Sequence, residues 1–200
     1  MIDRIANHDL TIREAAHLAG VTMRRIEKSC EEGIVPKAGR RPGLTRGTHA
    51  RVPAPAAAYA AAMSRLDGIT MAAASKRAVW KSIHSARGDS LGTVELSPGV
   101  KLELDTLAGD VWSRTGFYLA AREAFLVSDP KILGGEPVIR GTRITCRSVL
   151  GRVEGGDTVD DLTGDYPDVP REAFEAAALY ARTHPKRGRP EKGKPWRKPE

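Results

Sequence analysis

Cysteine is almost absent from this sequence: Cys30 and Cys146 are the two examples among 200 residues. They lie far apart and outside any CxxC spacing, which argues against a disulfide scaffold or a cysteine-based zinc site and suits a reducing cytoplasm. No apolar run is long enough to span a bilayer, and the N-terminus carries no signal-peptide pattern. We therefore expect a cytoplasmic protein that does not contact a membrane.

Catalytic and cofactor motifs are also missing. The five histidines show no HxxxH, HExxH or Cys-paired spacing, and no Gly-x-Ser-x-Gly elbow occurs. Residues 134–142 are glycine-rich, but they lack the Gly-Lys-Ser/Thr ending of a phosphate loop. Five aspartates between residues 157 and 168 are explained more simply as helix caps and a solvated face than as metal ligands. We predict no enzymatic activity, no metal and no cofactor.

Charge is distributed unevenly, with two basic ends around a mildly acidic middle. Residues 1–65 hold eleven Lys or Arg against six Asp or Glu, and residues 184–200 hold seven against two. Residues 66–183 hold fourteen against seventeen, so the chain as a whole carries +7. Basic ends are expected of a protein that binds a polyanion such as nucleic acid, although a merely solubilising surface has the same composition.

The N-terminal region carries the signals of two helices joined by a short turn. Thr11 and Glu14 have the spacing of a capping box, which predicts a helix from residue 12 onward. Gly20 permits the left-handed conformation that ends a helix, and Thr22 can cap a second helix over Met23–Glu32.

That second helix turns Ile26 inward and leaves three cations outside, which is typical of a DNA-reading helix-turn-helix. Residues 10–35 also resemble the opening of MerR-like winged helix-turn-helix domains, x-Thr-Ile-x-Glu-Ala-Ala-x-Leu-x-Gly-Val. Ile34-Val35 replaces the usual Leu, and an aromatic typical of the second helix is missing. The resemblance implies a winged helix-turn-helix domain over residues 1–66. Its DNA contacts would come from Thr22, Arg24, Arg25 and Lys28.

Residues 36–52 combine glycine and proline with five cations, among them Arg40, Arg41 and Arg46. Such a loop beside a reading helix suits a wing that contacts phosphates or the minor groove. A solvated, disordered loop is the alternative.

Residues 67–126 are expected to connect the two ends of the molecule. An alanine-rich helix at Ala56–Leu66 precedes this connector, and a second helix spans about Thr70–Ala86. Strict alternation around a Pro-Gly turn predicts a β-hairpin over residues 93–104, and Asp105 would cap the helix that follows.

Residues 128–147 are so dense in glycine and proline that no helix fits them. Short apolar pieces lie in between, so we predict two short strands around a turn at Gly134-Gly135, and another turn at Gly141. Thr145 or Ser148 would cap the next helix.

This stretch, with residues 155–157 and 165–167, resembles the signature of a small bacterial family, domain-of-unknown-function family 433. The resemblance covers residues 127–183 and implies a β-arm followed by a trihelical, helix-turn-helix-like domain. Many family members resemble VapB-like antitoxins paired with PIN-like ribonuclease toxins, which implies such a toxin as partner. We expect the three helices at Arg147–Glu154, Thr158–Gly164 and Arg171–Ala181, with Asp157 capping the second.

The last of these helices is acidic and apolar, so we expect it to pack against protein and not against DNA. The resemblance implies that this helix and the β-arm make the dimer and toxin contacts. The residues assigned to this partner surface are Ile132, Val138, Ile139, Arg140, Thr142, Arg143, Ile144, Phe174 and Tyr180.

Residues 184–200 form a basic tail that is expected to be disordered when free. Arg187 and Arg189 belong to an Arg-Gly-Arg-Pro sequence similar to an AT-hook, which places arginines in a narrow minor groove. Threading into the acidic metal site of a PIN-like nuclease and a solubilising role are equally open alternatives.

The sequence thus predicts a mainly α fold with small β elements, and a homodimer that binds its own operator DNA. By resemblance, the function is that of a type II antitoxin, which neutralises a PIN-like toxin and represses its own operon. A stand-alone MerR-like regulator without a toxin is the alternative, and a protein-interaction adaptor with solubilising ends is a third possibility.

Overall fold

The computed structural model describes Ile5, residues 8–38 and residues 50–185. This part of the chain forms eight α-helices and three two-stranded sheets, which confirms the prediction of a mainly helical fold with small β elements. In chain order the elements are β1 (Asp9–Thr11), α1 (Ile12–Ala19), α2 (Met23–Glu31), β2 (Arg51–Pro53), α3 (Ala56–Arg65), α4 (Ala73–Ser85), β3 (Thr93–Ser97), β4 (Val100–Glu103), α5 (Leu104–Phe125), β5 (Leu126–Val127), β6 (Val138–Ile139), α6 (Cys146–Glu154), α7 (Val159–Asp165) and α8 (Arg171–Thr183).

The predicted start of the first helix is confirmed. The Glu14 amide donates to the Thr11 hydroxyl at 3.1 Å, and the Thr11 amide donates to the Glu14 carboxylate at 2.7 Å. Gly20 ends α1 with a φ of 65°, the left-handed conformation that glycine adopts without strain. Thr22 stands at the cap position of α2, but its side chain makes no capping hydrogen bond.

A hairpin leads into the longest helix, as the alternation predicts. Strands β3 and β4 pair antiparallel, with Thr93 opposite Glu103. The predicted capping role of Asp105 is wrong, because α5 already begins at Leu104. The Asp105 carboxylate instead binds the loop before β3. It accepts hydrogen bonds from the Leu91 amide at 2.7 Å and from the Ser90 hydroxyl at 2.7 Å, so it fixes the loop before β3 to the start of α5.

The predicted strand pairing in the β-arm is also wrong. Strand β6 pairs antiparallel with β5, the two residues that directly follow α5, and Leu133–Gly135 form a single 3₁₀ turn. The chain bends earlier than expected because the Asp129 carboxylate accepts from the Lys131 amide at 2.8 Å. The Ser128 hydroxyl then donates to the Gly135 carbonyl at 2.7 Å and closes the loop.

The three C-terminal helices lie where the sequence places them, with one different cap. Thr145 caps α6 by accepting from the Ser148 amide. Thr158 caps α7 and forms a capping box with Asp161, so the predicted capping role of Asp157 is wrong. The Asp157 carboxylate instead pairs with Arg152 at 2.5 Å.

Buried apolar side chains from α1, α3, α5, α6 and α8 belong to one continuous core. Every residue of α3 from Ala56 to Ala62 is at most 2% exposed. Small alanine side chains allow neighbouring helices to approach α3 from several sides, which explains why a helix so poor in large apolar residues is buried all round. Residues on both sides of the predicted domain boundaries at 66 and 126 thus pack together.

A buried carboxylate joins the two ends of this core. Glu14 is fully buried, and besides capping α1 it accepts from the Tyr118 hydroxyl at 2.6 Å and from the Arg122 guanidinium at 2.8 Å. Burial alone would raise the pKa of Glu14, but the charges of Arg122 and His184 and these hydrogen bonds hold it below its ordinary value. The carboxylate therefore stays ionised inside the core.

We expect the substitution Glu14→Gln to lower the free energy of unfolding by about 3–5 kcal/mol, because it leaves the Arg122 charge buried without its partner. The matched control is Glu31→Gln, which removes an exposed carboxylate that also pairs with an arginine. Urea unfolding should show a large loss for the first variant and almost none for the second. Equal losses in both variants would contradict the structural role of Glu14.

The effect should also depend on pH in one direction. Because the folded pKa of Glu14 lies below its ordinary value of 4.5, its contribution to stability is complete above pH 4.5 and is lost as the pH falls through the folded pKa. The difference in stability between wild type and Glu14→Gln should therefore be constant near neutral pH and narrow below pH 4.5. A gap that widens on acidification would contradict this sign.

Candidate nucleic-acid interface

The short turn at Gly20 presents the outer face of α2 to solvent. Ile26 is 1% exposed and holds the inner face in the core. Thr22, Arg24 and Lys28 are exposed, as predicted, and Met23 is 41% exposed beside them. Arg24 and Lys28 are four residues apart and so lie on the same side of the helix.

Both outward cations are paired with carboxylates at exposed positions. The Arg24 guanidinium lies 2.6 Å from Glu31, and the Lys28 ammonium lies 4.0 Å from Glu32. The side chains of Arg24 and Lys28 are 68% and 69% exposed. Ion pairs at such exposed positions add little stability, because water and salt screen them.

Arg25 has a different position from its neighbours. Its guanidinium makes two hydrogen bonds to Asp67, at 2.7 and 2.5 Å, and a third to the Met63 carbonyl at 3.3 Å. The hydrogen bonds to Asp67 raise the pKa of Arg25. A forked arginine–carboxylate pair has a fixed geometry, so Arg25 anchors α2 to the corner between α3 and α4.

The remaining predicted DNA contacts, Arg40, Arg41, Arg46, Arg187 and Arg189, lie outside the described residues. The two ends of the predicted wing are described, however. The Ala38 amide donates to the Arg51 carbonyl at 2.8 Å, and Arg51 begins strand β2, which pairs with β1 in front of α1. Ala38 and Arg51, at the two ends of the predicted wing, therefore lie side by side next to the first helix.

Four members of the predicted partner surface lie inside the core of this chain. Val138 and Phe174 are fully buried, and Ile139 and Tyr180 are 2% and 3% exposed. Phe174 and Tyr180 lie on the face of α8 that packs against α6 and α5. The structure assigns these four side chains to internal packing and not to an exposed surface.

Arg140 has a structural role that the sequence did not reveal. Its guanidinium donates to the carbonyls of Ala124 and Glu123, at 2.9 and 3.2 Å, and its amide donates to the Phe125 carbonyl at 2.7 Å. These are carbonyl groups of the last turn of α5, which lack partners within the helix. Arg140 therefore caps the C-terminus of α5, where a positive charge also suits the helix dipole.

The other members of the partner surface lie on either side of strand β6. The Thr142 hydroxyl donates to the Ile139 carbonyl and accepts from the Ile144 amide, so it stabilises the turn itself. Ile132 and Ile144 are half-buried. Arg143 is exposed, and its side chain makes no hydrogen bond or ion pair within the described part of the chain. Leu133 is 52% exposed in a left-handed conformation, with a φ of 47°.

Metal binding and membrane insertion find no support in the described residues. No three His, Cys, Asp or Glu side chains there gather closely enough to hold a metal ion. None of the helices described is both long and apolar enough to cross a membrane.

A match to a known protein family is confined to the segment from β5 to α8. Residues 126–181 match the model of the protein family of unknown function DUF433. This confirms the resemblance expected for the C-terminal domain. The DUF433 segment contains the turn at Arg140–Ile144 and all three C-terminal helices.

Two further comparisons give more distant similarities. Over 100 residues the chain is 37% identical to the uncharacterized protein y4eO of Sinorhizobium fredii. That match covers 48% of this chain and 40% of the relative, so the chain spans less than half the length of this curated relative. The crystal structure of Rv2018 from Mycobacterium tuberculosis aligns over 84% of this chain and 96% of its own, with 19% identity and a TM-score of 0.32.

Two neighbouring arginines of the DUF433 segment give a matched test of these roles. Arg140→Gln should lower the free energy of unfolding by about 1 kcal/mol, because the carbonyls at the end of α5 lose their charged donor. Arg143→Gln removes the same charge three residues away and should leave the thermal midpoint unchanged. If both variants unfold at the wild-type midpoint, Arg140 does not cap α5 in solution.

Proposed function

We propose that this chain binds its own operator DNA through α2 and acts as the antitoxin of a PIN-like ribonuclease toxin. The observation that carries the DNA-binding part is the placement of Thr22, Arg24 and Lys28 on the exposed side of a short helix. The other side of that helix is fixed by Ile26 in the core and by Arg25 on Asp67. A reading helix needs this combination of a rigid base and free polar side chains.

The arrangement around α2 supports a winged helix-turn-helix of the MerR-like kind. Helix α1, the turn at Gly20 and α2 supply the two helices. Strands β1 and β2, with Ala38 paired to Arg51, hold the ends of residues 39–49 beside them. The cations of that segment would then contact the phosphate backbone next to the groove read by α2. Because helix-turn-helix proteins read paired half-sites, the DNA-bound form is expected to be a homodimer.

A phosphate can displace Glu31 and Glu32 from the outward cations of α2. The carboxylates hold Arg24 and Lys28 in exposed pairs that are weak and screened by salt. A DNA phosphate offers a stronger, charge-assisted partner, and its binding also releases condensed counterions. The pairs present in the free protein are therefore compatible with DNA binding, and they orient the two cations before contact.

The toxin-binding part of the proposal rests on the DUF433 segment and on its family's resemblance to VapB-like antitoxins. Between residues 132 and 144 the side chains of Leu133, Arg140 and Arg143 are exposed, and those of Ile132, Thr142 and Ile144 are half-buried. Exposed arginine is enriched at protein interfaces, and Arg143 has no ion-pair partner within the described part of the chain. The buried residues Val138 and Ile139 support this surface from below.

The DNA-binding part is tested by replacing the two outward cations of α2. The double variant Arg24→Gln with Lys28→Gln should lose operator binding in fluorescence anisotropy, and any remaining binding should have a salt slope flatter by about 0.9 per lost phosphate contact. Arg77→Gln with Lys81→Gln on α4 is the matched control, since both residues are exposed and four positions apart. Equal losses in the two double variants would mean that total charge, and not α2, determines binding.

The basic tail has a separate test. Deleting residues 186–200 should flatten the salt dependence of DNA binding if Arg187 and Arg189 contact phosphates. If the slope is unchanged while affinity for the toxin falls, the tail contacts the nuclease. If neither changes, the tail only adds solubility.

The toxin-binding part is tested by capture from the native host followed by mass spectrometry. We expect a small ribonuclease to co-purify with the wild type and with the Arg24→Gln, Lys28→Gln variant. Leu133→Asp with Arg143→Glu should lose it, because a buried interface does not tolerate an unpaired charge. Exposed Asp168→Ala in the loop before α8 serves as a surface control. Operator binding without any captured nuclease would favour a stand-alone transcription regulator.

A further inference from the structure

A groove lies between the inner edge of α2 and the corner that joins α3 to α4. Its volume is about 470 Å³, within the range of about 300–1,000 Å³ that small-molecule sites occupy. Helix α2 forms one wall, the C-terminal half of α3 forms the floor, and residues 67–71 with Lys76 form the other wall. The side chains that matter most for its chemistry are those of Lys28, Tyr59, Met63, Ile69, Met71 and Lys76.

The floor of the groove contains the side chain of Tyr59. Tyr59 is 1% exposed and packs edge-on against Trp80, with the ring centroids 5.8 Å apart. Tyr59 lines the groove, and within the described part of the chain its hydroxyl has no hydrogen-bond partner. Burial, and then the charge of Glu32, raise the pKa of this phenol, so it remains a neutral O–H donor. Buried tyrosine hydroxyls usually have an acceptor, and here a ligand in the groove can supply it.

The walls of the groove are positively charged and partly apolar. Four basic side chains and two acidic ones line it. Lys76 lies 3.0 Å from Glu32 and Lys28 lies 4.0 Å from the same carboxylate, so two ammonium groups share one negative charge. Ile69 is 60% exposed at the rim of the groove. Met63 and Met71 also line it, and their flexible thioether side chains adapt readily to different apolar shapes.

We propose that this groove binds a small amphipathic anion, with an apolar or aromatic body and one carboxylate, sulfonate or phosphate group. The apolar body would rest on Met63, Met71 and Ile69. The anionic group would pair with the ammonium groups of Lys28 and Lys76. An acceptor atom of the ligand would accept a hydrogen bond from the Tyr59 hydroxyl. The groove is a different site from residues 132–144, to which we assign the toxin contact.

Occupation of the groove would also change DNA binding, and this clause alone rests on the proposed function. Lys28 lines the groove, as do Thr22 and Arg24, and all three are also the exposed residues of α2 to which we assign DNA contact. A ligand that neutralises Lys28 removes a phosphate contact, so ligand and operator weaken each other's binding by the same factor. The groove would then serve as an effector site placed directly behind the reading helix.

The probe for this proposal is 8-anilinonaphthalene-1-sulfonate, a fluorescent molecule with the proposed chemistry. Titrated into the native full chain, it should bind saturably with one site per chain. Lys76→Gln should weaken binding about tenfold by removing a charge-assisted contact, and Tyr59→Phe about threefold by removing one hydroxyl. Arg77→Gln, the neighbouring exposed cation outside the groove, should bind as the wild type does. Thermal unfolding of each variant verifies that the fold is retained.

The outcomes separate the two proposals. Equal affinity of wild type, Lys76→Gln and Tyr59→Phe, or binding that does not saturate at one site, overturns the groove proposal whatever the DNA result. Saturable binding that needs Lys76, in a protein that binds no operator, supports the groove and overturns the DNA-binding function. Where both bindings occur, operator DNA should displace the probe, and a lack of displacement overturns the effector role.

Discussion

The Glu14 carboxylate is the group on which the arrangement of the helices depends. One oxygen closes the capping box that starts α1, and the other accepts from Tyr118 and Arg122 on α5. An ionised carboxylate is tolerated in a core only when several donors surround it, so its position fixes both helices at once. Helix α8 also packs against α1 and α5, and the positive potential of His184 at its end reaches the same carboxylate. The N-terminal helix pair is thereby joined to α5 through these hydrogen bonds.

Helix α2 is too short to hold its own orientation and depends on ion pairs along its inner edge. Arg25 binds Asp67 with its two terminal guanidinium nitrogens. Glu32 directly follows the last residue of α2 and binds Lys76 of α4. Arg24 and Lys28 lie outside these contacts, with side chains that are 68% and 69% exposed. The same part of α2 forms one wall of the groove, so Arg25, Asp67, Glu32 and Lys76 both hold α2 in place and line the groove. Rigid support and regulation would therefore use the same contacts.

Local signals in the sequence predicted the local structure well. The capping box at Thr11, the hairpin before α5 and the cap at Thr145 depend on residues a few positions apart, and all three are confirmed. Contacts between distant residues were not predictable, because nothing near Glu14 indicates Arg122, which follows 108 residues later. The exposed side of α2 followed from helical spacing, but the pairing of Arg25 with Asp67 did not. The sequence did not show which apolar residues of the DUF433 segment are buried in the core and which could contact a partner, because cores and interfaces use the same apolar side chains.

Arg140 and Arg143 illustrate how structure divides a motif that looks uniform in sequence. Both flank Gly141 and carry the same charge, yet Arg140 turns back to the last carbonyls of α5 while Arg143 faces solvent. The cap explains why the turn follows the helix so closely: the carbonyls at the end of α5 need donors, and strand β6 brings Arg140 to them by pairing with β5. Arg140 thus satisfies these carbonyls, while the side chains of Arg143 and Leu133 remain exposed to solvent. A partner that binds there would contact a surface already rigid before association, which limits the entropy lost on binding.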